Sequence, residues 1–302
     1  MNKKTRAATL SVASNTLLIL LKVVAGILTG SVSLIAEAVH SSMDLAAAVI
    51  AFLSVRVSDK MADDEHPFGH AKAENLSGVI EGLLIFIAAA IIIYEAVHRI
   101  LVSAKLETVE VGLVIMGLSI AVNLLVSRFL MRTAKQTDSL ALEADAKHLS
   151  TDVLTMVGVF VGLALVRITG LTIFDPITAM LVALMIIRAA YEITSKSYKG
   201  LLDTRLPAEE EAEIAGVINE HAGALVGFHE LRTRKAGSKR FVELHLVMPN
   251  KVKLEEAHAM CDHLETDIKD KLLNVDLNIH VEPCSTECTS CGVACKFSAT
   301  KH

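Results

Sequence analysis

Six stretches of the chain are apolar almost without interruption. They run over about Ala7–Thr29, Ser31–Val57, Leu76–Val97, Val111–Met131, Ser150–Thr169 and Ile173–Ile193. Each is close to the roughly 20 residues that cross a bilayer core as a helix. A helical bundle in water would need polar faces that these stretches lack. A cleaved signal peptide is not expected, since the first stretch is long and no small-residue cleavage pattern follows it. Beyond Lys199 the pattern changes to that of a water-facing domain. Leu206-Pro207-Ala208-Glu209 reads as a helix start, with proline near the first turn and acids at the positive end of the dipole. That helix is expected to reach about His221. A strand near Val226–Lys235, a turn at Gly237-Ser238 and a strand near Arg240–Met248 follow. A helix over about Leu254–Leu273 and a strand at Asp276–Glu282 complete the order αββαβ.

The expected fold is therefore an α-helical membrane bundle of six transmembrane helices over 1–205, with a C-terminal α+β domain over 206–283. The latter is a small open-faced sandwich of ferredoxin or metallochaperone type. A Cys-rich segment over 284–302, expected to be a flexible tail, ends the chain. The α+β domain, at about 75 residues, is small for a core that stands alone, so docking to a second copy is expected.

Composition agrees with this division. Hydrophobic residues make up 52% of the 302 and charged residues 21%, whereas soluble domains hold about 25% charge. A net charge of −5, 4% aromatic residues and no Trp argue against nucleic acid as a partner. Orientation follows from Lys and Arg. The N-terminus carries Lys3, Lys4 and Arg6, the second connection Arg56, Lys60 and Lys72, and the fourth Arg128, Arg132, Lys135 and Lys147. The opposite connections hold only Arg99, Lys105 and Arg167. Both termini are expected in the cytoplasm, and Gly30-Ser31 closes a tight helical hairpin between the first two spans.

Ionisable groups inside membrane helices are costly and point to function. His40 and Asp44 lie in the second span, and His148 and Asp152 open the fifth. A spacing of four puts His and Asp on one helix face. Two such faces meeting would supply two imidazoles and two carboxylates, a closed tetrahedral set suited to zinc. The bland alternative is a hydrogen bond within each helix, which two copies of one spacing disfavour. Imidazole binds metal only when neutral and titrates near neutral pH, so protons and metal compete at such a site.

Three further groups carry ligand chemistry. Asp63, His66 and His70 could meet on one cation if their loop turns; otherwise they are a solvated polar segment. Lys72 and Glu74, which follow, read as ordinary surface charges. The C-terminal domain holds His229, His245, His258, His263 and His280. His245 alternates with Glu243, and His280 with Glu282, so each pair projects from one sheet face. Cys284, Cys288, Cys291 and Cys295 could wrap one Zn²⁺ or Cu⁺ as thiolates in a reducing cytosol, although their spacing matches no standard zinc finger. Cys261 reads as packing.

At these residues the chain resembles the cation diffusion facilitator family, in particular its bacterial zinc/proton antiporters. The likeness covers about residues 8–283 and rests on an ordered set of fragments. These are Gly30-Ser31-Val32-Ser33, Ala36–Asp44, His66-Pro67-Phe68-Gly69-His70-Ala71-Lys72-Ala73-Glu74, Ala144-Asp145-Ala146-Lys147-His148 with Asp152, Leu201-Leu202-Asp203, His229–Arg234 and His280-Val281-Glu282-Pro283. The resemblance implies a transport site of His40, Asp44, His148 and Asp152. Histidine at the first of these goes with zinc preference, and aspartate there with broader Zn²⁺/Cd²⁺ handling. It also implies a loop site of Asp63, His66 and His70. A regulatory site at a dimer interface would use His229, His245, His258, His280 and Glu282, where the family pattern has Asp in place of Glu282. Lys72 and Asp203 match positions that interlock the two domains. The Cys-rich tail lies outside the likeness.

The resulting expectation is a homodimeric exporter in the inner (cytoplasmic) membrane that moves Zn²⁺ out against protons, with zinc also a regulatory ligand. Fe²⁺, Mn²⁺, Co²⁺ or Cd²⁺ as main cargo is the alternative. An intramembrane metalloenzyme would need an H-E-x-x-H helix, which is missing, and Glu37 is the only candidate base. A non-transporting metal sensor is the remaining rival.

Overall fold

The computed structural model describes residues 2–29, 32–102, 110–171 and 173–284. Two compact units, Met1–Leu201 and Leu202–His302, divide the chain. In the first, six helices run over Lys3–Thr29 (α1), Val32–Ser58 (α2), Ala73–Val102 (α3), Glu110–Thr137 (α4), Leu140–Thr169 (α5) and Phe174–Leu201 (α6). All six are long and apolar enough to cross a membrane. Gly30 and Ser31, read as a hairpin, lie outside the described residues.

α1 packs on α2 and α4, α4 on α5, and α3 on α6; α5 touches α2, α3 and α6. Small residues make these approaches close, as lipid-embedded packing requires. Along the α3–α6 seam a Cβ added at Gly78, Gly82 or Gly200 would collide with Ser197, Thr194 and Asn75 respectively. Gly82→Val is therefore expected to destabilise the bundle by about 1–3 kcal/mol through overpacking. Thermal melting in detergent checks this, and an unchanged melting point would refute it.

The helices α3, α4, α5 and α6 run well beyond their apolar windows, through segments that mix polar and apolar residues. The clearest case is α5. Its apolar window opens at Ser150, yet the helix begins at Leu140 behind the N-cap Ser139, whose hydroxyl accepts from Leu142 N. Glu74, at the start of α3, reaches this end from another helix. Its carboxylate accepts from Leu140 N at 2.7 Å and Ser139 Oγ at 2.8 Å. It also pairs with Lys4 at 2.9 Å and accepts from Ser58 Oγ at 3.1 Å. A carboxylate at a helix N-terminus satisfies orphan N–H groups and complements the dipole. Glu74 is fully buried, so the surface-charge expectation for it was incorrect.

The second unit runs α7 (Ala208–Glu220), β1 (Gly227–Ala236), β2 (Lys239–Met248), α8 (Leu254–Lys271) and β3 (Val275–Pro283), which is the expected αββαβ order. Sheet order is β1-β2-β3, with β1/β2 antiparallel and β2/β3 parallel. Gly237 at φ +55° makes the hairpin turn. Val242, Leu244, Leu246 and Met248 alternate inward from β2 onto Ile214, Val217 and Ile218 of α7 and Leu264 and Ile268 of α8. Cys261 packs against this core. The opposite sheet face carries Glu243 and His245 of β2 together with Phe241, whose ring lies under the Arg234 guanidinium.

Candidate metal centre

α2 and α5 cross where the two His-x-x-x-Asp pairs were expected to meet. Because α5 starts at Leu140, His148 sits about two turns inside the helix rather than at its opening. His148 Nε2 lies 3.4 Å from Asp44 Oδ1, with side chains only 8% and 13% exposed. One ligand atom each from Asp44, His148 and Asp152 falls within 4.8 Å of the other two. Tetrahedral zinc with bonds of about 2.0–2.1 Å holds its ligand atoms about 3.3 Å apart, so only small adjustments would close the set. His148 Nδ1 is buried and makes no hydrogen bond among the described residues. His40 stands on α2 one turn before Asp44, but its side chain lies outside the described residues.

Sequence reading passed over other ionisable groups in the same bundle. Glu81 on α3 and Asp145 on α5 are both fully buried. Ser77 Oγ donates to Glu81 at 3.0 Å. Neither carboxylate oxygen of Asp145 is hydrogen-bonded among the described residues. Lys22 on α1 is buried and donates to Ser41 Oγ at 2.6 Å. The signal was available: Glu81 and Lys22 interrupt apolar windows, and Asp145 precedes His148 by three residues, on the same helix face.

In the loop before α3, Gly69 at φ +79° turns the chain, and its N–H donates to the His66 carbonyl at 2.8 Å. This brings Asp63 to 3.3 Å from His66 and 3.4 Å from His70, and the three form one cluster of ligand spacing. The His66 backbone N–H, at 2.7 Å, chiefly holds the Asp63 carboxyl below its usual range, with both imidazoles adding to it. Asp63 is thus an anion throughout the neutral range. Lys72 donates to the Leu201 carbonyl at 3.4 Å within the first unit, and Asp203 accepts from Arg234 at 3.2 Å within the second.

On the open sheet face, His229, His245 and His280 are cross-strand neighbours in one row. Glu282 accepts from His245 at 2.9 Å and His229 at 3.1 Å, and these three residues cluster at ligand spacing. A bulge between His229 and Arg232, with Glu230 at φ +51°, brings Glu230 to 3.7 Å from His245. His280 lies beside His245, with ring centroids 4.8 Å apart and the ring planes tilted. His258, on α8, instead faces Asp262 at 3.8 Å. Cys284 is half-buried, whereas Cys288, Cys291 and Cys295 lie outside the described residues.

Partial burial would raise the Glu282 carboxyl, yet the hydrogen bonds from His245 and His229 outweigh it and hold the group below its ordinary range. A depressed carboxyl stabilises the fold above its ordinary titration range, and that contribution disappears as pH falls through its lowered value. Glu282→Gln is expected to flatten this part of the acid side of the stability profile. Thermal melting of the full chain across the carboxylate range reads it, and parallel profiles would refute it.

The chain matches known proteins along nearly its whole length. Residues 8–202 match the family model described as the cation efflux transmembrane domain, and residues 206–284 that described as the cation efflux protein, cytoplasmic domain. An uncharacterized transporter of Synechocystis sp. is 36% identical over 263 residues, which is 87% of this chain and 85% of the relative. The cation-efflux pump FieF of Pectobacterium atrosepticum is 36% identical over 281 residues, 93% of either chain. FieF of Citrobacter koseri is 32% identical over 280 residues, again 93% of either chain.

Proposed function

We propose that this chain, which belongs to the cation diffusion facilitator family, exports Zn²⁺ from the cytoplasm in exchange for protons. Cation efflux is the activity of the family, and six helices of spanning length make the chain a multi-pass membrane protein. The finer reading rests on one observation: Asp44, His148 and Asp152 converge within the helical bundle. With His40 added from the next turn of α2, two nitrogens and two oxygens would replace the hydration shell of a zinc ion. That donor set favours zinc over Mg²⁺ or Ca²⁺.

Each ligand binds metal only when deprotonated, so zinc and protons exchange at one place. Alternating access then makes the exchange vectorial. On the cytoplasmic side neutral imidazoles accept zinc; on the more acidic side His40 and His148 take protons and release it. The Lys and Arg distribution supports cytoplasmic termini, and spans that are helices rather than barrel strands support a place in the inner membrane. The C-terminal unit serves as the dimerisation domain. Zinc bound at His229, His245, His280 and Glu282 draws two subunits together, and a coupling of this kind to the bundle is reciprocal.

Zinc flux into proteoliposomes under an imposed pH gradient tests the reading, with Mn²⁺, Fe²⁺ and Cd²⁺ as competitors. Gradient-driven uptake in which zinc outruns Mn²⁺ and Fe²⁺ is expected. Faster manganese or iron would overturn the cargo, and uptake indifferent to the gradient would overturn the antiport. A folded, zinc-binding protein without flux would be a sensor.

A further inference from the structure

One cluster of ligand chemistry in the C-terminal unit has no part in the function just proposed. His221 ends α7, and His263 and Asp267 lie one turn apart on α8. His221 Nε2 is 3.3 Å from Asp267 Oδ2, and His263 Nε2 is 3.7 Å from the same oxygen. One ligand atom from each residue lies within 4.8 Å of the other two. The two imidazoles meet edge to face, with centroids 4.9 Å apart.

The hydrogen bonding of His221 points to what the cluster holds. Its Nδ1 lies 3.0 Å from the Val217 carbonyl. A carbonyl only accepts, so Nδ1 carries the proton and directs Nε2 at the cluster. Ligating histidines are commonly oriented in this way. In the neutral ring, Nε2 is an acceptor facing a carboxylate oxygen that is also an acceptor. Two acceptors 3.3 Å apart need a cation between them, either a proton or a metal. The helices that carry the ligands are already held in place, because Val217, Ile218, Leu264 and Ile268 belong to one buried core. Zinc would need no large rearrangement to bind.

We propose that His221, His263 and Asp267 form an additional site for a divalent cation of the zinc class, complete within one chain apart from water. Two imidazole nitrogens and a carboxylate oxygen suit zinc, and three protein ligands leave a position open to solvent. The site is separate from the His229, His245 and Glu282 cluster, since the helices cover one sheet face and that cluster occupies the other. Bound metal staples the C-terminal end of α7 to the middle of α8. The site needs no partner subunit and stands whether or not the chain is an antiporter.

Zinc bound per chain of the full-length protein in detergent, at free Zn²⁺ held by a metal buffer, tests it. His263→Ala and Asp267→Asn should each bind one zinc fewer than wild type. The His263 side chain is 60% exposed, so its loss leaves the fold intact. Hydrogen exchange on the same samples locates the loss: zinc should slow exchange around 217–221 and 263–268 in wild type and not in either variant. An unchanged zinc count in both variants overturns the site. A lowered count with wild-type protection of these segments places the lost ion elsewhere and overturns it equally.

Discussion

Asp152→Ala is expected to reduce the proposed pH-driven zinc uptake into proteoliposomes by at least about 100-fold, given that even residues that merely orient metal ligands are worth about 10- to 100-fold in affinity. The substitution removes a carboxylate that stands within 4.8 Å of the Asp44 and His148 ligand atoms. Three ligands and a lower negative charge would then face the ion in a setting that offers little water as replacement. Asp44 and His148 keep their own contact at 3.4 Å, so the bundle should still fold and the defect should appear in flux rather than in yield. The C-terminal unit gives an internal control: Glu282→Ala should leave the bundle site intact and alter zinc-dependent association instead. Wild-type uptake in Asp152→Ala would refute the transport site, whatever the cargo.

Glu74→Ala is expected to be the most destabilising single change in the first unit, at about 3–5 kcal/mol, the cost of removing one partner from a buried ion pair. The carboxylate is fully buried and ties α3 to three other helices at once. It pairs with Lys4 of α1, accepts from Ser58 of α2, and takes the Ser139 hydroxyl and Leu140 N–H at the start of α5. Its loss also withdraws an acceptor from a helix N-terminus. Glu192→Ala is the comparison, because its pairs with Lys147 and Arg188 are half-exposed and such pairs contribute about 0–1 kcal/mol. Pairing Lys4→Met with Glu74→Gln should recover part of the loss, since a neutral replacement avoids a buried charge. Melting in one detergent ranks the four proteins, and equal melting points for Glu74→Ala and Glu192→Ala would refute the assignment.

Much of this was legible along the chain. Continuous apolar runs near bilayer length mark spans whatever their neighbours are, and period-two alternation in Val242–Met248 marks a half-buried strand. The paired His-x-x-x-Asp spacing marks a helix face because the α-helical period is a local property. Glu74 illustrates where such reading stops. It follows Lys72 in a polar connection, and only the arrival of α1, α2 and α5 around it turns a surface charge into a buried hub. The start of α5 has the same origin: an apolar window cannot show ten residues of helix whose cap is completed by a side chain 65 residues earlier.

The sequence by itself determined six spans, an αββαβ domain and where side chains able to ligate metal stand along the chain, since these follow from periodicity and residue chemistry within short windows. The tertiary structure alone decided which ligands converge. It joined Asp44 to His148 across 104 residues, gathered His229 and His245 on Glu282, set His258 beside Asp262 instead, and brought His221 to His263 and Asp267. Convergence depends on helix crossings, strand register and one bulge, and each of these is set by packing between segments distant in the chain.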